Sequence, residues 1–286
     1  MLIVPPLRAP RFSRGLTFAS PALLWTVALF LVPLILMAVQ SLGQRVAGRP
    51  VPGWTLANYV RFVEKSYFHD ALLNSLEVTA LVTLLSILFA YPLAWIIAFR
   101  VPPHWQRVTL LLAILPFWTS YLVRSYSWLL VLSPEGVVPS ALRAVGLDPG
   151  VPLVSNRTGT VIGFVHFFTM LLTLTIYASL VQIPPSLFRA AADLGATSWQ
   201  SFLRVTLPLS LPGVMVGGFL TFVLTIGDYI TPQILGGNRE LLMPQAIMLQ
   251  IGRQADFPMA AALSLILMLV VGLAYLACAR WLRITR

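Results

Sequence analysis

The sequence predicts an all-α integral membrane protein in which a single domain, residues 1–286, contains six transmembrane helices. Of the 286 residues, 58% are hydrophobic and only 10% are charged, whereas a soluble domain carries roughly 25% charged residues. Six separate apolar stretches are also long enough to cross a bilayer, which takes ~20 residues of helix. We therefore expect the chain to lie in a membrane.

The six predicted spans cover residues 21–42, 71–99, 109–132, 158–182, 211–231 and 258–279. The first apolar run is longer than the hydrophobic region of a signal peptide and no small-x-small cleavage site follows it, so we expect it to be retained. Spans four and five carry glycines at the spacing of helix contacts, which predicts close packing between helices. These glycines are Gly159 with Gly163, and Gly213 with Gly217.

The charges of the connecting segments predict the orientation. The two termini, residues 100–108 and residues 183–210 together hold ten arginines and one acid, whereas the other three segments hold eight basic residues and six acids. Because lysine and arginine concentrate on the cytoplasmic side, we expect both termini and the 183–210 segment to be cytoplasmic. The basic residues are scattered rather than clustered, so we expect membrane lipid around the chain and no nucleic-acid partner.

The polar stretch within this segment, residues 184–210, predicts two short helices separated by a sharp break. A Pro-Pro pair suits the entrance of the first helix, and Gly195 is placed to close it in the left-handed conformation. Thr197 and Gln200 form a capping-box pattern for the second helix. We expect that helix to stop at Leu207 and Pro208.

Among the large apolar side chains of this helix pair, we single out Leu194, Trp199 and Phe202. A polar segment that carries such side chains is typical of a surface that docks in a groove of a soluble partner. The alternative is a plain surface loop, which would leave apolar surface exposed without use.

Catalytic motifs are missing from the sequence. The only lysine is Lys65, so no phosphate-binding loop of the form GxxxxGK[ST] exists. The three histidines are far apart in the chain and none belongs to an HExxH pair, and no GxSxG elbow is present. We therefore expect no enzymatic activity, no metal site and no cofactor in this chain.

Three ionisable residues fall within the predicted spans, namely Glu77, Arg124 and Asp228. At ~1.5 Å per residue, each of them lies in the outer third of the membrane. Such groups are costly unless they pair or face water, and they indicate a functional site.

Two interpretations of these charges stay open. Asp228, with Glu77, could attract a cationic substrate, whose ammonium groups would also contact aromatic rings. The rings in question are Trp118, Tyr121 and Tyr229. Alternatively, Arg124 pairs with Asp228 or extends to the interface. A buried arginine also suits an anionic substrate.

Several stretches resemble one protein family. Arg189-Ala-Ala-Ala-Asp193-Leu-Gly195-Ala, followed by Val205-Thr-Leu207-Pro208, resembles the EAA loop of permease subunits of binding-protein-dependent ABC importers. That motif reads E-A-A-x-x-x-G and later I-x-L-P. Residues 190, 191, 195, 205, 207 and 208 fall on matching positions, whereas Arg189 replaces the acid. Residues 115–128 and 225–237 are similar to permeases of the spermidine/putrescine (PotB-like) type.

The resemblance implies a type I (MetI-like) importer permease in the bacterial inner membrane. It implies two cytoplasmic ATPases that bind ATP and Mg²⁺, a second, PotC-like permease, and a periplasmic binding protein that meets loops 133–157 and 232–257. Residues 184–210, hereafter the coupling loop, would transmit the ATPase motion. The residues assigned to coupling are Arg189, Ala190, Ala191, Asp193, Leu194, Gly195, Phe202, Leu207 and Pro208.

The resemblance favours a polyamine as the substrate. An opine, another amine, ferric iron and a phosphonate stay open as alternatives within the same importer class. A second class, the ion-coupled secondary carrier, would need intramembrane relays or matched broken helices in the two halves, and the halves contain neither.

Overall fold

A computed structural model describes residues 12–46, 49–147, 150, 152–237 and 240–284. Within these residues the protein is built of α-helices, and a single two-stranded hairpin is its only sheet. The predicted all-α architecture is therefore confirmed for the described part of the chain. Five of its helices are long and apolar enough to cross a membrane, or six if one bent pair counts as a span.

The first span is a helix with one widened turn. Helices α1 (Phe12–Thr26) and α2 (Val32–Ser41) are joined by a π-helical turn at Val27–Leu31, in which the Val32 N–H donates to the Val27 carbonyl. Pro33 follows directly and has no N–H to continue the α-helical pattern. The widened turn lets the helix continue through this proline without a break.

The connection to the second span is ordered rather than a loop. Strands β1 (Gly43–Val46) and β2 (Arg49–Trp54) form an antiparallel hairpin, and α3 (Ala57–Glu64) follows it. The buried Asn58 amide donates to the Ser41 carbonyl at 2.8 Å and to the Gly43 carbonyl at 3.0 Å. This side chain therefore ties α3 to the end of α2.

Helix α4 (Ser66–Phe99) contains the second predicted span, but the single span predicted over residues 109–132 is wrong as an unbroken helix. That region forms α5 (Pro103–Ile114), a 3₁₀ turn at Leu115–Trp118, α6 (Tyr121–Leu132) and then α7 (Val137–Ala144). The chain bends by 90° between Pro103–Trp118 and Tyr121–Ala144. The cause is Pro116, which cannot donate a backbone hydrogen bond and whose ring displaces the preceding turn.

Helix α8 (Arg157–Leu180) is the centre of the bundle and packs along both α4 and α11 (Leu207–Ile226). A Cβ atom at Gly217 would lie 2.2 Å from Thr175 Oγ1 and 2.7 Å from Leu172 Cδ2. One at Gly213 would lie 2.3 Å from Ser179 Oγ. The prediction that these two glycines allow close helix packing is therefore confirmed.

The coupling loop contains α9 (Pro185–Asp193) and α10 (Ser198–Ser201), followed by a π-helical turn at Phe202–Thr206. The prediction that the second helix stops at Leu207 and Pro208 is wrong, because the turn leads without interruption into α11. The Leu207 N–H donates to the Phe202 carbonyl. As in the first span, a proline, here Pro208, lies two residues after the π-helical turn. The widened turn accommodates the N–H that this proline lacks.

The fifth span ends earlier than predicted, at Ile226 rather than at residue 231. A π-helical turn at Pro232–Gly236 and helix α12 (Met243–Gly252) follow, and α13 (Phe257–Ile284) completes the described chain. The segment 232–257, predicted to be a turn-rich loop, thus includes a helix. Met243 and Ala246 of that helix are buried in one cluster with Phe68 and Met259, which explains why tertiary packing outweighs the turn signals.

Candidate coupling and substrate-pathway sites

The break in the coupling loop is a Schellman motif centred on Gly195. The Ala196 N–H donates to the Ala191 carbonyl, and the Gly195 N–H donates to the Ala192 carbonyl, both at 2.9 Å. Gly195 has φ +76°, in the left-handed region that glycine adopts without strain. The predicted role of Gly195 as the residue that closes α9 is confirmed.

The start of α10 is fixed by the predicted capping box. The Gln200 N–H donates to Thr197 Oγ1 at 3.3 Å, and the Thr197 N–H donates to Gln200 Oε1 at 2.9 Å. These reciprocal bonds satisfy two amides that a helix start leaves without partners. The angle between α9 and α10 is therefore defined by local contacts within this short stretch of chain.

The outward face of the coupling loop combines apolar and charged side chains. Leu194 is 88% exposed and Trp199 is 66% exposed. Arg189, Ala190 and Asp193 of α9 are also exposed. Two large apolar side chains this exposed are unusual on a polar segment and are typical of an interaction surface.

The inward face of the coupling loop packs on α4. Phe188 contacts Phe99 edge to face at a centroid distance of 5.4 Å. Phe202 is half-buried, edge to face with Tyr91 at 5.9 Å and stacked on Trp199 at 5.5 Å. Phe202 is thus a structural link to α4 as well as a neighbour of the exposed Trp199. A cavity of about 320 Å³ remains between α4 and the two short helices.

The residues after α10 join the coupling loop to the bundle. Leu207 is half-buried and Pro208 is exposed at the start of α11, and Ala191 is half-buried in α9. The Tyr91 hydroxyl shares a hydrogen bond with Ser210 Oγ at 2.8 Å, which fastens α11 to α4. Helix α10 is therefore continuous with the fifth span, which is held to α4 near its start.

Arg124 stabilises the break in the third span. Its side chain is nearly buried, donates to the Pro116 carbonyl at 2.7 Å and lies 4.4 Å from the centroid of the Phe167 ring. No acidic group lies within ion-pair distance of it in the described part of the chain. The interpretation that Arg124 pairs with Asp228 is wrong, because its hydrogen-bond partner is the Pro116 carbonyl, which also accepts from the N–H and the hydroxyl of Thr119.

Asp228 lies beyond the end of α11 and not within a helical span as predicted. Its Oδ1 accepts the Ile230 N–H at 2.8 Å, and its Oδ2 accepts a hydrogen bond from the Tyr121 hydroxyl. The same hydroxyl also contacts the Thr231 hydroxyl. The structure thus brings Tyr121 and Asp228 together, where the broken third span meets the segment after the fifth.

The other predicted pathway residues lie apart from this pair. Glu77 forms an ion pair with Arg157 at 2.7 Å, and Arg157 also approaches Glu240 at 3.9 Å. Trp118 is 81% exposed at the break. Tyr229 lines a cavity of about 550 Å³, together with Gln233, Gln245 and Arg253 among others.

One buried charge cluster has no signal in the sequence. Asp256 is 4% exposed, pairs with Arg61 at 3.0 Å and accepts the Met259 N–H at 3.2 Å, while Arg45 lies 3.9 Å away. Its members come from distant segments, so no spacing rule predicts their contact. The cluster joins the hairpin and α3 to the start of α13.

Comparison with known proteins identifies the family. Residues 79–283 match the family described as "Binding-protein-dependent transport system inner membrane component". The chain belongs to this family. The inner membrane ABC transporter permease protein YdcU of Escherichia coli K12 is 34% identical over 79% of this chain and 75% of its own length. The spermidine/putrescine transport system permease protein PotB of the same organism is 33% identical over 77% of this chain and 80% of its own length.

Solved structures agree on the fold. A bacterial alginate ABC transporter, in complex with a periplasmic protein bound to an alginate pentasaccharide, superposes with a TM-score of 0.76 at 19% identity, over 97% of this chain and 99% of that chain. The MetNI methionine ABC transporter superposes with a TM-score of 0.59 at 16% identity, over 81% and 97%. The predicted type I importer permease fold is confirmed. The chain is a permease component, and ATP hydrolysis in such systems belongs to a separate subunit.

Proposed function

We propose that this permease forms part of the translocation pathway for a polyamine such as spermidine or putrescine. The observation that carries the proposal is the match to PotB permeases of several bacteria, at 33% identity over 76–80% of their length. The charge of Asp228 supports it, because Asp228 has no basic side chain within ion-pair distance in the described part of the chain. A polycation would supply the missing positive charge.

We further propose that the coupling loop is the cytoplasmic docking site for an ATPase. Two ATPase subunits bind ATP and Mg²⁺, a second permease completes the pathway, and a periplasmic binding protein delivers the substrate. Both termini lie in the cytoplasm in this arrangement. The proposal is supported by the exposed Leu194 and Trp199, by the excess of arginine on this side, and by the continuity of α10 with α11.

The closing of the ATPase pair on nucleotide would shift α9 and α10, and the continuous α11 would carry this shift to Tyr121 and Asp228. Transport is then coupled through an element with two arrangements, as in other switching systems. The end of the coupling loop and the Tyr121–Asp228 contact thus lie at the two ends of one helix, Ser198–Ile226.

The experiment is uptake and ATPase measurement in proteoliposomes that contain the chain with its co-purifying subunits and the binding protein encoded beside it. We expect ATPase stimulation and uptake with radiolabelled spermidine or putrescine. An ATPase that responds only to an anionic amine such as 2-aminoethylphosphonate would replace the substrate and keep the importer. A chain that purifies without any ATPase would overturn the importer assembly.

The role of Asp228 is tested in the same system with Asp228→Asn. Asparagine retains an acceptor oxygen for the Ile230 N–H, so the local fold is kept while the negative charge is lost. We expect the KM for spermidine to rise at least fivefold. Glu77→Gln is the matched control, because Glu77 is already compensated by Arg157, and we expect it to change the KM less than twofold.

A further inference from the structure

Helix α9 carries an exposed positive charge within the proposed docking loop. Arg189 and Asp193 are one turn apart and both are exposed, yet no ion pair within 4 Å involves either of them among the described residues. The packed side of the helix is marked by Phe188 against Phe99. The Arg189 guanidinium is therefore free to meet a partner that binds the same loop, which also exposes Leu194.

The charge around this surface has one predominant sign. The two segments on this side, residues 100–108 and 183–210, hold four arginines and one acid. All five side chains are exposed. A partner that covers Leu194 and Trp199 must approach this arginine-rich face at close range, where like charges are costly and opposite charges favour docking.

From this arrangement we infer that the coupling loop docks into a cleft of its ATPase that has an apolar floor and presents a carboxylate to Arg189. The inference rests on the proposed function and adds the chemistry of the partner. Leu194 and Trp199 fill the apolar floor, as large side chains do at the centre of tight interfaces. Arg189 then forms a charge-assisted, planar hydrogen-bonded pair with an aspartate or glutamate at the edge of the cleft.

A carbodiimide cross-linking experiment shows directly whether the ATPase group that contacts residue 189 is a carboxylate. This reagent joins a lysine amine to a carboxylate in contact with it, with loss of water, and a guanidinium does not react in this way. The only lysine of the chain is Lys65, in a segment on the other side of the membrane in the predicted orientation. In Arg189→Lys, position 189 is therefore the only lysine of the chain on the docking side.

The purified complex of Arg189→Lys with its ATPase is treated with carbodiimide and the joined peptides are identified by mass spectrometry. We expect an amide between residue 189 and an ATPase aspartate or glutamate. Arg107→Lys is the matched control, since Arg107 is also exposed on this side but lies in α5, and we expect no such amide there. An intact complex without an amide at residue 189 overturns the inference.

The reverse substitution tests the same contact by affinity. At ~0.15 M salt, where charges more than ~8 Å apart are largely screened, we expect Arg189→Glu to weaken ATPase binding at least tenfold and Arg107→Glu to weaken it less than twofold. An unchanged affinity in Arg189→Glu contradicts a carboxylate partner, and so does a carbodiimide-formed amide between position 189 of that variant and an ATPase lysine. A wild-type chain that retains no ATPase refutes the proposed function itself, so the two failures are distinguishable.

Discussion

Gly195 allows a sharp test of the coupling loop, because replacement by valine acts on the backbone alone. No heavy atom lies within 4 Å of a Cβ built at Gly195, so a side chain there meets open space. The whole cost comes from φ +76°, which costs an L-residue about 1–2 kcal/mol. A β-branched residue costs more. At 1.4 kcal/mol per factor of ten, the fraction of molecules in which residue 195 keeps the left-handed conformation falls ~5-fold to ~30-fold or further.

The assay compares substrate-stimulated ATPase activity and uptake in proteoliposomes with the amount of chain inserted in the membrane. We expect Gly195→Val to lose uptake and stimulated ATPase activity while insertion is unchanged, because the transmembrane packing does not involve this residue. Gly195→Asn is the control, since asparagine adopts the left-handed conformation more readily than other non-glycine residues, and it should retain most of the activity.

Normal uptake in Gly195→Val would refute the reasoning, because it would mean that transport does not need the left-handed break. Equal losses in the asparagine and valine variants would also contradict it. That result would place the effect in the added side chain rather than in the backbone conformation.

Five further substitutions at four positions test the packing and the buried polar contacts by thermal unfolding in detergent. Gly217→Ala should lower the free energy of unfolding by about 1–3 kcal/mol, because the added methyl group overpacks the contact with α8. Gly272→Ala meets nothing within 4 Å and should leave the free energy of unfolding unchanged. Equal unfolding midpoints in the two variants would disprove the contact at Gly217. Arg124→Met should cost about 1.5–3 kcal/mol, because the Pro116 carbonyl loses a charged donor. Asp256→Ala should lower the free energy of unfolding by a similar amount. Asp256→Asn should lower it less, because asparagine still accepts the hydrogen bond from the Met259 N–H. A larger loss in Asp256→Asn than in Asp256→Ala would contradict the buried pair.

The parts of the coupling loop that depend on local contacts were predictable from the sequence. Gly195 ends α9, and Thr197 with Gln200 begins α10, because caps form between residues within one turn of each other. The continuation into α11 was not predictable in the same way. Pro208 signals a stop in the sequence, and only the widened turn before it allows the helix to continue.

The apolar pattern located the spans but could not reveal the break in the third one. Residues 109–132 are predominantly apolar, and the apolar pattern is the same whether the helix is straight or bent at Pro116. Helix α12 was missed for a related reason, since its turn-forming neighbours dominate the local signal. Its place is fixed instead by burial of Met243 and Ala246 against α4 and α13.

The partners of the intramembrane charges could not be predicted from the residue types. Arg124 bonds to a backbone carbonyl, which no charge pattern indicates. Glu77 pairs with Arg157, which is 80 positions away in the chain. The contact between Tyr121 and Asp228 likewise depends on two bends of the backbone, one in the third span and one after Ile226.

The unbroken helix from Ser198 to Ile226 makes the fifth span a lever arm. Its 29 residues extend for ~43 Å at ~1.5 Å per residue. If the helix tilts as a rigid rod about its end at α10, a rotation of ~5° moves its far end by ~4 Å, because the rod is ~43 Å long. That displacement exceeds the length of a hydrogen bond, which is ~3 Å. A small rotation at the membrane surface would therefore suffice to separate Asp228 from the Tyr121 hydroxyl at the opposite end.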